Sequence, residues 1–391
     1  MSINRRSLLK ATLSSSALLG ASSLSASTLG ATPLSATQSS GASASSGVSA
    51  KRFKRITVEE FFLTPEMAFA QQKLLAQNPA DEPGFTQFFG TTMKALAGKG
   101  DTDNIERMMD IGELRLSAMD RDGIDMQLLS LMSPGVQVYD AQQGTALAQK
   151  VNEHLARAVQ QHPDRFAGLA TVAPQDPIAA AKELDRSVTK LGMKGLMINS
   201  HTKGEFLDEE KFWPILEKAQ ALDVPIYIHP RTPAPDMVKP FQKYFGLEAA
   251  AFGFNIDTSL HALRMILGGV FEEFPKLKIV LGHMGEGIPF WLPRIDHKME
   301  LFHKIQPPVR KLTKKPSDYF LDNFYITTSG MNYENPFMLA HKVMGADRIL
   351  FAVDYPAEEA GEPVRMMDAA PISDADKEKI YHLNSEKLFR L

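Results

Sequence analysis

The stretch "LKIVLGH" at residues 277–283 is an almost continuous apolar run that ends in a histidine. Such a run is typical of a parallel strand covered on both faces. Seven more strand-like runs, of six to eight residues, share its β-rich composition. They are "RITVEEFF" (55–62), "DMQLLSL" (125–131), "FAGLATV" (166–172), "GMKGLMI" (192–198), "VPIYIH" (224–229), "NFYITTS" (323–329) and "RILFAVD" (348–354).

Helical segments separate most of these runs, at 145–162, 176–192, 208–222 and 249–274. Asp176 and Pro177 resemble an N-cap and a first-turn proline, and Gly192 a stop signal. Eight strands with helical crossovers predict an α/β fold, a distorted (β/α)8 TIM barrel. The alternative is a doubly wound open sheet, but no glycine-rich phosphate fingerprint follows the first strand.

The connection between the first two strands is unusually long, at roughly sixty residues, and connections of that length are usually functional. We therefore predict a long insertion after the first strand. Its Phe85, Phe88 and Phe89 form either an apolar lid over the barrel mouth or ordinary packing.

The N-terminal fifty residues differ from the rest of the chain. Arg5 and Arg6 precede an apolar, small-residue stretch with no charge between Lys10 and Lys51. This pattern predicts a twin-arginine signal peptide over 1–26 and export to the periplasm, followed by a Ser/Ala-rich linker over 27–54. A disordered low-complexity tail is the alternative. The barrel domain is predicted over 55–391.

Composition excludes several function classes. A net charge of −3 argues against nucleic-acid binding, which needs a basic face. The N-terminal apolar stretch is too short and too serine-rich to form a stable membrane span. The chain has no cysteine, so thiolate metal sites and a cysteine nucleophile are excluded. It also has neither a G-x-S-x-G elbow nor a P-loop.

Polar side chains collect at the predicted C-terminal ends of the strands, where TIM barrels carry their chemistry. These residues are Glu59, Glu60, His229, His283 and Asp354, with His201 just after the fourth strand. The other seven histidines fall in or beside helical segments and are expected on the surface or in packing. Imidazoles and carboxylates that converge on one point suit a divalent cation with room for water.

Several separated motifs carry a family resemblance: "SPGVQ", "HPDRFAGLA", "DVPIYIHPR", "LGHMGEGIPFWLPRID", "ITTSG" and "GADRILFAVDYP". From Arg55 onward the chain resembles the amidohydrolase superfamily. Within it the chain is most similar to the metal-dependent aromatic-acid decarboxylases, which include the γ-resorcylate and 2,3-dihydroxybenzoate decarboxylases. The resemblance implies a barrel enzyme with one divalent metal ion, Zn²⁺ or Mn²⁺, and a small carboxylic acid as substrate. It also implies a homo-oligomer, a dimer or a tetramer.

The resemblance assigns roles to individual residues. It implies Glu59, His229 and Asp354 as metal ligands, with Asp354 also the proton donor. His283 and Glu286 correspond to a pair beside the metal. Arg294 corresponds to an active-site arginine that anchors an anionic group, although it could equally be a surface ion-pair partner. Phe61, His201 and Arg231 are the predicted substrate-binding residues.

The first strand departs from the family pattern. The family reads Glu-Glu-His-Phe where this chain has Glu59, Glu60, Phe61 and Phe62. Residues two apart on a strand share a face, so Glu59 and Phe61 are expected to point together into the barrel mouth. Phe61 cannot bind metal, and the site is therefore expected to be weakened or absent.

The function that follows is a lyase removing carbon dioxide from an aromatic or conjugated carboxylic acid. Two alternatives stay open. One is a metal-dependent hydrolase of an ester, lactone or amide. The other is a binding protein or inactive relative that lost its chemistry when histidine became Phe61.

Overall fold

In the part of the chain that the structure describes, nine short parallel strands form an inner wall: β1 (Ile56–Phe62), β2 (Met126–Leu131), β3 (Phe166–Gly168), β4 (Ala170–Thr171), β5 (Leu196–Asn199), β6 (Ile226–His229), β7 (Ile279–Leu281), β8 (Phe324–Thr327) and β9 (Ile349–Leu350). They pair in the orders β1-β2-β3 and β4 through β9. Only Leu169 separates β3 from β4, so these two are one barrel strand in two pieces.

Backbone hydrogen bonds join the two ends of this wall. The Asp354 amide donates to the Glu59 carbonyl at 3.1 Å, and the Phe61 amide donates to the Tyr355 carbonyl at 2.8 Å. The segment after β9 thus pairs with β1. The result is a nearly closed barrel of eight parallel strands, and the predicted (β/α)8 TIM barrel is confirmed.

The structure is a computed structural model that describes residues 52–92 and 103–391. Lys54–Leu391 form one compact unit. The predicted signal peptide and residues 27–51 of the predicted linker lie outside the described residues and stay predictions.

Helices follow the strands around the outside. They are α1 (Pro65–Gln77), α2 (Asp103–Met109), α3 (Glu113–Asp122), α4 (Ala141–Gln161), α5 (Pro177–Leu191), α6 (Trp213–Ala221), α7 (Gly253–Leu267), α8 (Val270–Glu273), α9 (Ile288–His303), α10 (Pro316–Asn323), α11 (Glu334–Met344), α12 (Gly361–Ala369), α13 (Asp374–Glu378) and α14 (Asn384–Phe389). Short 3₁₀ turns lie at Glu210–Phe212 and Ala346–Arg348, and π-type turns at Phe85–Phe89 and Lys379–Leu383.

The capping signals around α5 act as predicted. The Asp176 carboxylate accepts the Ala179 amide at 3.0 Å, and Gly192 ends the helix in the left-handed conformation. Two predicted helices differ from the structure. The helix expected over 249–274 is divided into α7 and α8, because Gly269 adopts a left-handed φ of 76°. The one expected over 208–222 begins as a 3₁₀ turn.

The long insertion packs on the loop that follows β6 and on the first turn of α7. Phe88 lies 5.9 Å from Phe245 and 6.0 Å from Phe254, measured between ring centroids. Phe85 is buried and stacks on Phe89 at 5.2 Å. These contacts support the packing interpretation of the three phenylalanines.

Apolar side chains fill the barrel below its mouth. Val58, Leu128, Tyr227, Val280 and Leu350 belong to one cluster, which also includes the C-terminal Leu388 and Phe389. Each large side chain buried this way contributes about 1.5–3 kcal/mol. The packed interior leaves the strand-end residues as the place where polar groups meet.

Across residues 52–92 and 103–391, no helix combines the length and the apolar character that crossing a bilayer requires.

Candidate active site

Three predicted metal ligands meet at the C-terminal end of the barrel. Glu59 comes from β1, His229 ends β6, and Asp354 follows β9. One ligand atom from each lies within 4.8 Å of the other two. The barrel brings together residues that are as much as 295 positions apart in sequence, as expected for this fold.

The Glu59 carboxylate is fully buried. Its Oε2 accepts hydrogen bonds from the hydroxyl of Tyr227 and, at 2.9 Å, from Thr327. Its Oε1 accepts none from the described residues but lies 3.4 Å from His229 Nε2 and 3.7 Å from His283 Nε2. Burial works to raise the Glu59 pKa, yet His283, His229 and the Tyr227 hydrogen bond together lower it below its usual value.

His229 presents a neutral imidazole. Burial lowers its pKa to about 4, although the nearby Glu59 carboxylate opposes the shift. A neutral ring has a nitrogen lone pair for a metal ion. The Phe61 ring packs edge-on against it, with centroids 4.7 Å apart. Phe61 therefore faces the site, as the spacing from Glu59 predicted.

Asp354 is held in an unusual backbone conformation, with φ of +81°. The Glu60 carboxylate fixes this segment, because it accepts the Val353 amide at 3.2 Å and the Tyr355 amide at 3.0 Å. Burial raises the pKa of Asp354 to about 7, and the Glu59 charge adds to the shift while His283 opposes it. A carboxyl group with such a pKa can donate a proton near neutral pH.

His283 and Glu286 lie on one left-handed turn after β7. His283, Met284, Gly285, Glu286 and Gly287 all have positive φ. This strained backbone aims both side chains at the site. His283 Nδ1 lies 2.8 Å from Glu286 Oε1, and His283 Nε2 lies 4.0 Å from Asp354 Oδ2.

Two neighbouring carboxylates, Glu286 and Glu59, keep the His283 imidazole protonated. Burial works to lower the His283 pKa, but Glu286 and Glu59 raise it well above its ordinary value. Asn255 donates to the other Glu286 oxygen at 2.8 Å and holds that carboxylate in place. His283 is thus a cationic group beside the predicted metal ligands.

Two predicted substrate-binding residues, His201 and Arg231, make contacts within the protein, and their substrate role stays a prediction. The His201 Nδ1 accepts the Gly204 amide at 3.1 Å, and its Nε2 donates to the Thr232 carbonyl at 3.0 Å. No ring nitrogen of His201 remains for a substrate. Arg231 forms a buried ion pair with Glu82 of the insertion and donates to the His201 carbonyl at 3.2 Å.

Arg294 lies on α9 with an exposed side chain. Among residues 52–92 and 103–391 it has neither a hydrogen bond nor an ion pair. The structure does not bring it together with the strand-end cluster, and its role stays a prediction.

Sequence reasoning missed Tyr227 and Thr327, which hold Glu59, and the part that Glu60 plays beside Asp354. A signal for Tyr227 was available. It lies two residues before His229 on the same strand, so it faces the same interior. Thr327 carried no comparable signal, because its partner is 268 residues away.

The chemistry of this site suits a divalent metal ion. Glu59 Oε1 is a buried carboxylate oxygen without a hydrogen-bond donor among the described residues. It lies with a neutral imidazole and a second carboxyl group within 4.8 Å. A set of two carboxylates and one imidazole is accepted by Mn²⁺ and Zn²⁺. Glu59, His229 and Asp354 are the residues that would hold it.

Comparison with known proteins gives the family. A sequence model described as amidohydrolase matches residues 104–391. A γ-resorcylate decarboxylase of Polaromonas sp. is 38% identical over 292 residues, covering 73% of this chain and 89% of the relative. The match to the family model begins after β1, so it includes neither Glu59 nor Phe61.

Two solved structures resemble the fold closely. A 5-carboxyvanillate decarboxylase from Novosphingobium aromaticivorans, complexed with manganese and 4-hydroxy-3-methoxy-5-nitrobenzoic acid, superposes with a TM-score of 0.81. It is 40% identical and covers 87% of this chain and 96% of its own. A dihydroxybenzoic acid decarboxylase from Polaromonas sp., with manganese and 2-nitroresorcinol, has a TM-score of 0.76. It is 35% identical and covers 87% of this chain and 98% of its own. Barrel, strand-end cluster and sequence agree, and this chain belongs to the amidohydrolase family.

Proposed function

We propose that this protein is a metal-dependent carboxy-lyase that removes carbon dioxide from an aromatic carboxylic acid. The meeting of Glu59, His229 and Asp354 at one point of the barrel mouth carries the proposal. Relatives and structural neighbours that act as aromatic-acid decarboxylases support it. They also favour decarboxylation over hydrolysis.

The chemical step belongs to Asp354. Its carboxyl group donates a proton to the ring carbon that carries the substrate carboxylate. The bond between that carbon and the carboxylate then breaks, and carbon dioxide leaves. The electron pair of the broken bond restores the aromaticity of the ring. Asp354 ends as a carboxylate and is reprotonated from solvent.

His283 and Glu286 stabilise charge in the site and do not form or break bonds with the substrate. The cationic His283 lies 4.0 Å from Asp354 Oδ2 and stabilises the carboxylate that remains after proton transfer. Glu286 holds the His283 ring by its Nδ1. Partial burial at the barrel mouth lowers the local dielectric constant and strengthens both interactions.

When bound, the metal ion supplies positive charge that orients the substrate carboxylate or a neighbouring hydroxyl. Manganese is the ion we propose, because the oxygen-rich ligand set suits a hard cation and two neighbours contain manganese. Phe61 closes one side of the site with an apolar ring. We propose that this ring packs against the aromatic ring of the substrate.

The test is product analysis with purified protein reconstituted with Mn²⁺. Hydroxybenzoates such as 2,6-dihydroxybenzoate and 5-carboxyvanillate form the substrate panel. The expected result is release of carbon dioxide with one equivalent of the decarboxylated arene. Turnover of an ester, lactone or amide in the absence of carbon dioxide release would instead establish the hydrolase. Metal binding without turnover of either class would favour the inactive relative.

We also propose that the protein is exported and forms homo-oligomers. The Arg5 and Arg6 pair supports export. Phe290 and Trp291 support assembly, since they are exposed and adjacent on α9, with ring centroids 4.9 Å apart. Large exposed aromatic side chains are enriched at protein interfaces.

A further inference from the structure

The buried Glu59 carboxylate is hydrogen-bonded unevenly. Two hydroxyl groups, from Tyr227 and Thr327, donate to Oε2, whereas Oε1 receives no hydrogen bond from the described residues. The Ser329 hydroxyl also acts on this carboxylate and lowers its pKa, but it makes no hydrogen bond with either oxygen. A carboxylate has about two acceptor positions on each oxygen. Two hydrogen bonds therefore occupy the lone pairs of Oε2 and leave those of Oε1.

Three adjacent strands create this arrangement. Tyr227 lies on β6, Gly282 follows β7, and Thr327 ends β8. The two hydroxyl oxygens are 3.1 Å apart. A Cβ atom on residue 282 would lie 2.9 Å from Glu59 Oε1 and 3.1 Å from Oε2. Because Gly282 has no side chain, the Glu59 carboxylate can occupy this space.

A purely structural role would predict another pattern. Burying a carboxylate is costly unless its oxygens find donors, and both oxygens would then be hydrogen-bonded. Here the oxygen without a donor lies on the side of His229 Nε2, at 3.4 Å. The orientation prepares Oε1 for a cation rather than satisfying the carboxylate internally.

We propose that Tyr227 and Thr327 are positioning residues that hold Glu59 Oε2, with Gly282 providing the space. They present Oε1 alone to the metal ion, so that Glu59 binds through one oxygen. The fixed orientation of Glu59 offsets part of the metal affinity that is lost because residue 61 is phenylalanine and not histidine. The inference rests on the proposed metal site but not on decarboxylation.

The experiment measures Mn²⁺ affinity of the purified full-length protein by calorimetry. Tyr227→Phe and Thr327→Val each remove one donor while keeping the shape of the side chain. Each should weaken Mn²⁺ binding about 10–100-fold, the range typical when groups that orient metal ligands are changed. Thr327→Ser keeps the hydroxyl and should bind within a few-fold of wild type. Gly282→Ala should weaken binding by displacing the carboxylate.

Tyr325→Phe is the matched control. Tyr325 lies on β8, and the Arg348 guanidinium packs over its ring. Its hydroxyl has no hydrogen bond with Glu59. Tyr325→Phe should leave Mn²⁺ affinity unchanged. Because Tyr227 and Thr327 share one acceptor, the double variant should lose less affinity than the sum of the single losses.

The outcomes separate the two proposals. Wild-type affinity in both Tyr227→Phe and Thr327→Val would overturn the positioning role. A wild-type protein that binds no Mn²⁺ would overturn the positioning role together with the metal site. Weakened binding in the variants, with no carbon dioxide released by any form, would support the positioning role and reject decarboxylation.

Discussion

The Phe61 ring packs edge-on against the His229 imidazole, with centroids 4.7 Å apart and planes inclined by 72°. An apolar side chain thus contacts a predicted metal ligand at the position where the family pattern has a histidine. The Phe61 backbone is fixed independently, because its amide donates to Tyr355. A substitution at 61 therefore changes the site without removing that bond of the barrel wall.

Phe61→His should increase metal retention. The new imidazole would lie beside His229 and add a fourth protein ligand. Since changes outside the ligand set already alter metal affinity about 10–100-fold, an added ligand should raise it at least that much. The measurement is metal content after dialysis against a graded series of chelator concentrations. Phe61→Leu is the control, because it removes the ring without adding a ligand. Equal loss of metal from wild type and Phe61→His would show that residue 61 does not face the ion.

Asp354→Asn should abolish turnover, because asparagine has the shape of aspartate but no acidic proton. We expect kcat to fall by at least 100-fold, in the range that general acids contribute. Circular dichroism should match the wild type. Glu358→Gln is the control, since it removes an exposed carboxylate near Asp354. An Asp354→Asn variant with most of its activity would remove Asp354 from the mechanism.

Arg231→Met should destabilise the fold, because it leaves the Glu82 carboxylate buried without its partner. Removing one member of a buried pair typically costs about 3–5 kcal/mol. The double variant Arg231→Met/Glu82→Leu should lose less. Unfolding in urea gives both values. Wild-type stability with a raised KM would instead return Arg231 to the substrate-binding role predicted from sequence.

His261 should make stability depend on pH. Burial, with a contribution from Arg264, lowers its pKa in the folded protein to about 3, below its usual value of about 6.5. The unfolded chain therefore binds a proton first as pH falls. The stability due to the neutral ring is complete above about pH 6.5. It is lost at up to about 1.4 kcal/mol per pH unit as pH falls toward 3.

His261→Gln tests this dependence. Glutamine can still accept the Leu207 amide, which His261 Nε2 accepts at 3.0 Å. Between pH 4 and pH 6 its free energy of unfolding should change less steeply with pH, by about one proton. Parallel pH profiles of the two proteins would contradict the assignment.

Replacing Arg5 and Arg6 with lysine should retain the precursor in the cytoplasm, because the twin-arginine route requires the arginine pair. Fractionation of cells and immunoblotting measure the distribution. Replacing Lys10 with arginine is the control and should leave export intact. Equal periplasmic amounts of the double-lysine protein and the wild type would reject this route.

The pattern of apolar runs was enough to predict all eight barrel strands. Parallel strands buried on both faces leave a nearly continuous apolar signal, and helices with caps such as Asp176 separate them. Bounds were less accurate where glycine acted locally, as at Gly269. The meeting of Glu59, His229 and Asp354 was also predictable, because strand ends in a barrel meet at one mouth and because the family resemblance marked these residues.

By itself, the sequence determined the barrel and the strand ends that bear chemistry, since periodicity and family motifs are local properties of the chain. Only the tertiary structure decided what each polar group contacts. It gave His201 two backbone partners, paired Arg231 with Glu82, and directed Tyr227 and Thr327 at one oxygen of Glu59. The physical reason is that Arg231, Tyr227 and Thr327 each bond a residue more than a hundred positions away. Only the closed barrel brings such residues together, and no local pattern encodes these contacts.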